Sequence, residues 1–214
     1  AGVGSGALSM YLLRAIGESG ELHSFERRAE FAEIAKGNVS SQTGSAPKNW
    51  SVHLGDLQIE LPKALELKSV DRVVLDMLAP WECIEVVAEA LKPGGLVIVY
   101  VATVTQLSRV AEAIRDTAMF TEPEGFESLV RPWHLQGLAV RPEHRMIGHT
   151  GFLITARRLA PGAVLPQFKN KVKSTEYSDE DILAWNPEGL GERKISEKKL
   201  RKTVRKATNQ QSAE

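Results

Sequence analysis

The glycine-rich stretch AGVGSGA at residues 1–7 constrains the fold more than any other part of this chain. Glycines at alternate positions let the backbone adopt positive φ and leave room for a ligand to approach it closely. Residues 7–16 then carry apolar side chains at positions 8, 12, 13 and 16, which predicts a helix with one buried face. A glycine-rich turn that opens a helix presents free N–H groups and the positive end of the helix dipole. It therefore favours a nucleotide-like ligand.

A carboxylate follows this turn at an informative distance. Residues 21–26 (ELHSFE) read as a strand that ends in Glu26, twenty residues past Gly6. An acid at the tip of the second strand of such a unit can accept both hydroxyls of a ribose, so turn and acid together predict a nucleoside-cofactor site. The strand that should precede the turn is not in the sequence. We therefore expect an N-terminally truncated domain.

The pattern beyond Glu26 alternates helices and strands. Helices are predicted at 28–42, 82–91 and 104–119, and strands at 50–54, 71–77 and 95–101. This alternation predicts an α/β fold with a doubly wound, mostly parallel sheet. Two further strands, 126–131 and 150–156, are joined only by a polar loop, so we expect the sheet to end with an antiparallel strand.

Composition sets the outer bounds. The formal net charge is zero, so any attraction to nucleic acid must come from a local patch. The single cysteine, Cys83, excludes an intramolecular disulfide and fits a reducing cytoplasm. No apolar run is long enough to span a bilayer, and no membrane partner is predicted. No metal site is predicted either.

The last part of the chain differs from the rest. We expect one domain over residues 1–162 and a polar, basic, flexible tail over residues 163–214. Short helix signals occur near Ser178 and Ser196, and the second is strongly basic. That segment is either solvated or contacts RNA phosphates.

Three carboxylates follow three predicted parallel strands: Glu26, Asp56 and Asp76. Because ligands of open α/β sheets bind at the carboxyl ends of the strands, we expect the three to share one site. Glu26 would hold ribose hydroxyls, and Asp56 would accept a hydrogen bond from the exocyclic amine of an adenine. Asp76 would lie nearest the reacting centre.

These segments resemble the S-adenosylmethionine motifs of class I methyltransferases. The resemblance rests on AGVGSGAL at 1–8, SFE at 24–26, HLGD at 53–56 and DMLAPW at 76–81. The D-x-x-x-P-W form, with Tyr100 and Gln106 after the next strand and GHTGFL at 148–153, is similar to the bacterial tRNA (adenine-58-N1)-methyltransferases. The match runs from residue 1 to about residue 162. It implies a Rossmann-like, seven-stranded sheet with an antiparallel last strand, and a homotetramer.

The resemblance also implies roles for individual residues. The turn would cradle the methionine part of S-adenosylmethionine through Gly2, Val3, Gly4, Ser5 and Gly6. Glu26 would bind the ribose, and Asp56 the cofactor adenine. Asp76 would contact the amino end of the cofactor and act as the catalytic residue that orients the target adenine of tRNA. Tyr100, Gln106 and His149 would bind the substrate. The family's Tyr-x-Pro pattern is here Tyr-Val-Ala, at residues 100–102.

Other functions stay open at the level of sequence. A methyltransferase with a protein or small-molecule acceptor would share the cofactor half of the sheet. A nicotinamide dehydrogenase fits less well, because the glycine spacing is tighter and no partner for hydride transfer is evident. A further alternative is that the chain is an inactive or fragmentary RNA-binding protein that resembles a methyltransferase. The presence of Gly4, Glu26, Asp56 and Asp76 favours an enzyme.

Overall fold

The computed structural model describes residues 1–163, and the helix signals near Ser178 and Ser196 lie outside them. Five helices are present in this part of the chain: α1 (Ala7–Ile16), α2 (Ala29–Thr43), α3 (Leu57–Ala64), α4 (Ile84–Ala90) and α5 (Val104–Asp116). A short 3-10 helix, Pro80–Cys83, precedes α4. The strands are β1 (Leu22–Glu26), β2 (Trp50–Leu54), β3 (Val70–Asp76), β4 (Leu91–Val101), β5 (Glu124–Phe126), β6 (Trp133–Gln136), β7 (Ala139–Pro142) and β8 (Phe152–Arg157).

The strands form the mostly parallel arrangement that the alternating pattern predicts. β1 pairs with β2 in parallel, and β3 pairs with β4 in parallel. β8 runs antiparallel to β4 on one side and to β5 on the other. The order β3-β4-β8-β5 places the antiparallel strand inside the sheet, with β5 beyond it. The predicted fold class, with its antiparallel last strand, is confirmed.

The first two residues lie between β1 and β3. The N–H of Gly2 donates to the carbonyl of Phe25 (3.1 Å), and the carbonyl of Ala1 accepts from the N–H of Asp76 (2.9 Å). These bonds place the glycine-rich turn between the ends of the two strands. The acids at the ends of β1 and β3 are therefore brought to the same edge.

The core lies where the sheet packs against α4 and α5. Leu75, Val97, Val99 and Ile154 of the sheet are fully buried, as are Ile84, Val87, Val110 and Ile114 of the two helices. Cys83 is buried in the same cluster. Burial raises the pKa of its thiol to about 11, and the nearby carboxylates of Asp56 and Glu82 add to the effect. Such a thiol is a packing group.

Two expectations about the chain between α5 and β8 are wrong. The strand predicted at 126–131 is confined to Glu124–Phe126. The supposed polar loop contains the β6–β7 hairpin, which pairs Trp133 with Pro142 and closes at Gly137. Gly137 has φ 53°, which glycine adopts without strain. The hairpin is a separate two-stranded sheet rather than part of the main one.

Helix α3 was not predicted, because Pro62 interrupts the pattern on which a helix is recognised. Pro62 is the sixth residue of Leu57–Ala64 and supplies no N–H to this helix, in which Leu57 and Leu61 are both buried. Among the helices of residues 1–163, none has the length and apolar character required to cross a membrane.

Candidate active site at the carboxyl edge of the sheet

The backbone at Gly2 accepts no side chain. Its φ is +83°, and a Cβ built there would lie 1.7 Å from the carbonyl oxygen of Asp76. Further along the turn, the carbonyl of Ser5 accepts from Asn38 of α2 (2.9 Å). Gly6 packs directly on Ala35, where a Cβ would come within 3.1 Å of the helix backbone. The turn is therefore pressed against β3 on one side and α2 on the other.

Glu26 binds this turn through its carboxylate. Oε2 accepts hydrogen bonds from the N–H groups of Val3 (3.1 Å) and Gly4 (3.3 Å), while Oε1 accepts from the N–H of Arg28 (3.1 Å). The residue is only 6% exposed. Burial by itself would raise the pKa of the carboxyl. The three backbone donors and the Arg28 guanidinium outweigh burial, so this pKa lies below its ordinary value.

A carboxylate offers about four lone-pair positions, and the backbone occupies three of them. One position on Oε1 is thus left for a ligand hydroxyl, next to the Arg28 guanidinium at 3.6 Å. Sequence reasoning assigned Glu26 to the ribose alone and missed its contacts with the turn. No residue-type signal would have revealed them, because the donors are backbone groups.

Asp56 lies beside Glu26 as expected. The N–H of Gly55 donates to the carbonyl of Glu26 (2.9 Å), which ties the loop after β2 to the end of β1. Asp56 is the residue before α3, and its Oδ2 is 3.5 Å from Nε of Arg27. Arg27 was not among the predicted site residues. Its side chain is exposed and in position to neutralise Asp56.

Asp76 ends β3 with its side chain exposed at the same edge. In the parallel pairing with β4 its partner is Tyr100. The Tyr100 hydroxyl donates to the carbonyl of Thr150 (2.6 Å). A Cβ on Gly151 would lie 2.4 Å from that hydroxyl, so the tyrosine ring occupies space that only glycine leaves open.

Gln106 and His149 also bind backbone groups at this edge. His149 Nε2 donates to the carbonyl of Ala102 (2.7 Å), and its ring packs on Phe152. The side-chain amide of Gln106 forms hydrogen bonds with the backbone through both its oxygen and its nitrogen. Nε2 donates to the carbonyl of Leu78 (3.2 Å). The structure therefore brings the predicted substrate residues together as a set that links three loops. Their contact with a substrate stays a prediction.

Within residues 1–163, no group of three or more His, Cys, Asp or Glu side chains is placed to hold a metal ion. The edge instead offers a glycine-rich turn, two acids at the ends of β1 and β2, and an exposed acid at the end of β3. This combination can bind a nucleoside through hydroxyl and amine contacts and can present a carboxylate to a second ligand.

The fold and this edge define a Rossmann-like methyltransferase domain. The family model described as "tRNA methyltransferase complex GCD14 subunit" matches residues 1–140. The chain belongs to this family.

Curated relatives agree with that assignment. The chain is 34% identical over 158 residues to the tRNA (adenine(58)-N(1))-methyltransferase TrmI of Thermus thermophilus, an alignment covering 74% of this chain and 60% of the relative. It is 31% identical over 179 residues to the tRNA (adenine(57)-N(1)/adenine(58)-N(1))-methyltransferase TrmI of Methanocaldococcus jannaschii, covering 73% and 62%. The chain thus spans about three fifths of the length of these relatives.

Solved structures show the same fold. A SAM-dependent O-methyltransferase from Thermotoga maritima superposes with a TM-score of 0.67 at 32% identity, covering 75% of this chain and 58% of that one. The tRNA (m1A58) methyltransferase TrmI from Aquifex aeolicus gives a TM-score of 0.65 at 27% identity, covering 74% and 60%.

Proposed function

We propose that this chain carries the catalytic domain of an S-adenosylmethionine-dependent enzyme that methylates N1 of an adenine in tRNA, at position 58 of the T-loop. The observation that carries the proposal is the exposed carboxylate of Asp76, which ends β3 directly against the glycine-rich turn. Family membership supports the tRNA substrate, and the named relatives support the N1 position.

The residues at the edge fit the proposed cofactor. Gly4 has φ +55°, and a Cβ there would meet no atom within 4 Å, so the backbone borders open space. Glu26 would use its remaining acceptor position for a ribose hydroxyl, and Asp56, whose Oδ2 lies 3.5 Å from Nε of Arg27, would accept from an adenine amine. The turn residues Gly2 to Gly6 would hold the methionine part. The cofactor supplies a methyl group on a sulfonium, which is already activated for displacement.

The chain's own task is then to position the acceptor. We infer that Asp76 accepts a hydrogen bond from the N6 amine of the target adenine and thereby aims N1 at the donor. Proximity and orientation can lower a barrier by roughly 7–11 kcal/mol. The adenine ring gains positive charge as N1 is alkylated, and the carboxylate of Asp76 beside N6 would stabilise that charge.

The target adenine must be accessible outside a Watson–Crick base pair. N1 lies on the Watson–Crick edge of adenine, so it reaches Asp76 only when the base is unpaired or flipped out of the stack. Tyr100, the neighbour of Asp76 on β4, presents an aromatic ring at the same edge. Aromatic side chains stack on single bases in RNA sites. We propose this role for Tyr100, beside contacts of Gln106 and His149 with the loops that border the site.

A homo-oligomer, with four copies as the family resemblance implies, is the second part of the proposal. An isolated two-stranded hairpin is at best marginally stable in water. The β6–β7 hairpin and its flanks nevertheless expose apolar side chains at Val130, Trp133, Leu135, Leu138, Val140 and Ile147. A patch of this kind indicates a protein interface, and we propose a second copy of the chain as its occupant. A cytoplasmic location, with its tRNA pool, completes the proposal.

Nucleoside analysis of a methylated tRNA tests the proposed reaction. The chain is incubated with S-adenosylmethionine and an unmodified tRNA transcript, and the digested nucleosides are identified by mass spectrometry. N1-methyladenosine is expected, and it should be absent from a transcript with guanine at position 58. A protein that binds the cofactor but leaves every adenine unmodified would contradict the proposal.

A further inference from the structure

The side chain of Gln106 links two loops of the site edge. Gln106 is the third residue of α5, and its Oε1 accepts from the N–H groups of Ala102 (3.2 Å) and Thr103 (3.1 Å). Thr103 Oγ1 in turn accepts from the N–H of Gln106 (3.3 Å), which completes a capping box. The amide oxygen therefore holds the loop that leaves β4.

The amide nitrogen reaches in the other direction. Nε2 of Gln106 donates to the carbonyl of Leu78 (3.2 Å), 28 residues earlier in the chain. The orientation of the amide is fixed by its partners, because two backbone N–H groups require an oxygen and a carbonyl requires an N–H. A capping box needs only the oxygen. The bond to Leu78 is an additional feature.

Leu78 belongs to the segment between the end of β3 and the 3-10 helix, residues 77–79. Its side chain is 83% exposed although it is apolar, and it stands two residues after Asp76. Trp81 lies in the 3-10 helix that follows the segment, and the Arg109 guanidinium lies 4.3 Å above its ring. Gln106 and Arg109 both belong to α5, so this helix contacts the segment at Leu78 and the 3-10 helix just beyond it at Trp81.

We propose that Gln106 is a positioning residue that fixes the segment after Asp76 to the first turn of α5 and so sets where the acceptor base can lie. The inference rests on the proposed methyl transfer. It assigns Gln106 to the protein's own loops, where the sequence assigned it to the substrate. Held in this way, the exposed Leu78 forms a rigid apolar lip next to Asp76, suited to the face of an unpaired base.

Gln106→Glu separates this role from helix capping. Glutamate at the same position keeps the acceptor for Thr103 and is favoured in a capping box, and its charge suits a helix N-terminus. It has no N–H for the Leu78 carbonyl. We expect an unchanged melting temperature and an unchanged dissociation constant for S-adenosylmethionine. The kcat of methyl transfer should fall about 10- to 100-fold, as misplacement of a reacting group does.

Thr103→Ala is the matched control. It removes the hydroxyl of the capping box and leaves the bond between Gln106 and Leu78 in place. This variant should melt at a lower temperature yet keep most of its kcat. The opposite result, with turnover lost in Thr103→Ala and retained in Gln106→Glu, would show that only the helix cap matters and would overturn the proposal.

Amide hydrogen exchange provides a readout that does not depend on activity. Peptides covering residues 76–81 should exchange faster in Gln106→Glu than in the parent chain, while those covering β1 and β2 stay the same. Unchanged exchange over residues 76–81 would refute the positioning role of Gln106, whatever the rate of methyl transfer. If the parent chain methylates no tRNA, the proposed function fails by itself, and exchange over residues 76–81 decides whether Gln106 holds the loop.

Discussion

Oε2 of Glu26 accepts a hydrogen bond from the N–H of Val3 at 3.1 Å, which joins the end of β1 to the glycine-rich turn across 23 residues of sequence. The same oxygen binds Gly4. The carboxylate that we propose as the ribose ligand thus also shapes the backbone of the turn. We therefore expect stability and cofactor binding to be coupled at Glu26.

Glu26→Gln should therefore weaken the fold as well as cofactor binding. The glutamine amide offers one acceptor oxygen for backbone N–H groups that now use both carboxylate oxygens, so at least one donor is left unsatisfied. The free energy of unfolding should fall by about 1–3 kcal/mol. Urea denaturation measures this loss, and Glu30→Gln on the exposed first turn of α2 is the control that should stay near the parent value. Equal stability of the two variants would contradict the structural role.

The Glu26 carboxylate should also make the stability of the fold depend on pH in the acidic range. Its pKa lies below the ordinary value of 4.5 in the folded state. The unfolded chain then binds more protons at low pH, so the contribution of Glu26 is complete above that value and is lost as pH falls through the folded pKa. Thermal melts as a function of pH should show a drop below about pH 4.5 that is shallower in Glu26→Gln. The same dependence of melting temperature on pH in the parent chain and in Glu26→Gln would refute this contribution of Glu26.

A histidine pair makes a second, separate pH prediction. Nδ1 of His23 is 3.1 Å from Nε2 of His53, and the His53 ring stacks on Phe25 with centroids 4.8 Å apart. Burial, and then the neighbouring His23, lower the pKa of His53 below its ordinary value of 6.5, against the attraction of Glu60. The unfolded chain takes up this proton more readily, so stability is full above pH 6.5 and declines as pH falls through the folded pKa.

The test of the histidine pair compares two variants. In His53→Phe the ring stack remains but the titrating group is gone, so the slope of melting temperature against pH between about 7 and about 5 should flatten. His144→Gln, at an exposed position after β7, should keep the slope of the parent chain. A flattened slope in His144→Gln but not in His53→Phe would contradict the assignment.

Gly151 and Tyr100 should behave as a coupled pair. Gly151→Ala places a methyl group 2.4–2.5 Å from the tyrosine ring and hydroxyl, so the ring must move away from its position beside Asp76. Overpacking of this kind costs about 1–3 kcal/mol. Adding Tyr100→Leu should restore part of the lost stability, which a double-mutant cycle detects. If the losses in stability from Gly151→Ala and Tyr100→Leu simply add, the two residues are not coupled and this prediction is wrong.

The oligomer proposal is tested on the hairpin. Leu135→Glu puts a charge in the middle of the apolar surface of β6, where it would be desolvated in an interface. Light scattering after size exclusion should show a smaller assembly than the parent chain forms. Glu143→Gln, just after β7, serves as the control and should leave the assembly unchanged. A monomeric parent chain would remove this part of the proposal.

The sequence predicted the parallel half of the fold well because its signals are periodic. The helical spacing of residues 8–16 and the apolar runs before Asp76 and Tyr100 follow from which faces are buried. The α3 helix was missed because Pro62 reads as a breaker. The β6–β7 hairpin was missed because its strands are short and exposed, so they show no clear alternation.

The site was predicted in part, and the division has a physical reason. Glu26, Asp56 and Asp76 follow strand ends, so topology alone brings them to one edge. Gln106 and Tyr100 donate to the backbone carbonyls of Leu78 and Thr150. Every residue has such a carbonyl, so the sequence does not reveal these contacts. The capping-box spacing from Thr103 to Gln106 was readable, but it reveals only the local half of the Gln106 contacts.

The most direct test of the central claim is the single-turnover rate of methyl transfer to tRNA by Asp76→Asn. The amide keeps the shape of the side chain but loses the charge that stabilises the alkylated base, so the rate should fall roughly 100-fold. The rate is measured at saturating S-adenosylmethionine, because Asp76 is also expected to contact the amino end of the cofactor. Asp71→Asn, in the same strand and paired with Lys92 at 2.9 Å, should react at the parent rate. A parent-like rate for Asp76→Asn would contradict the account.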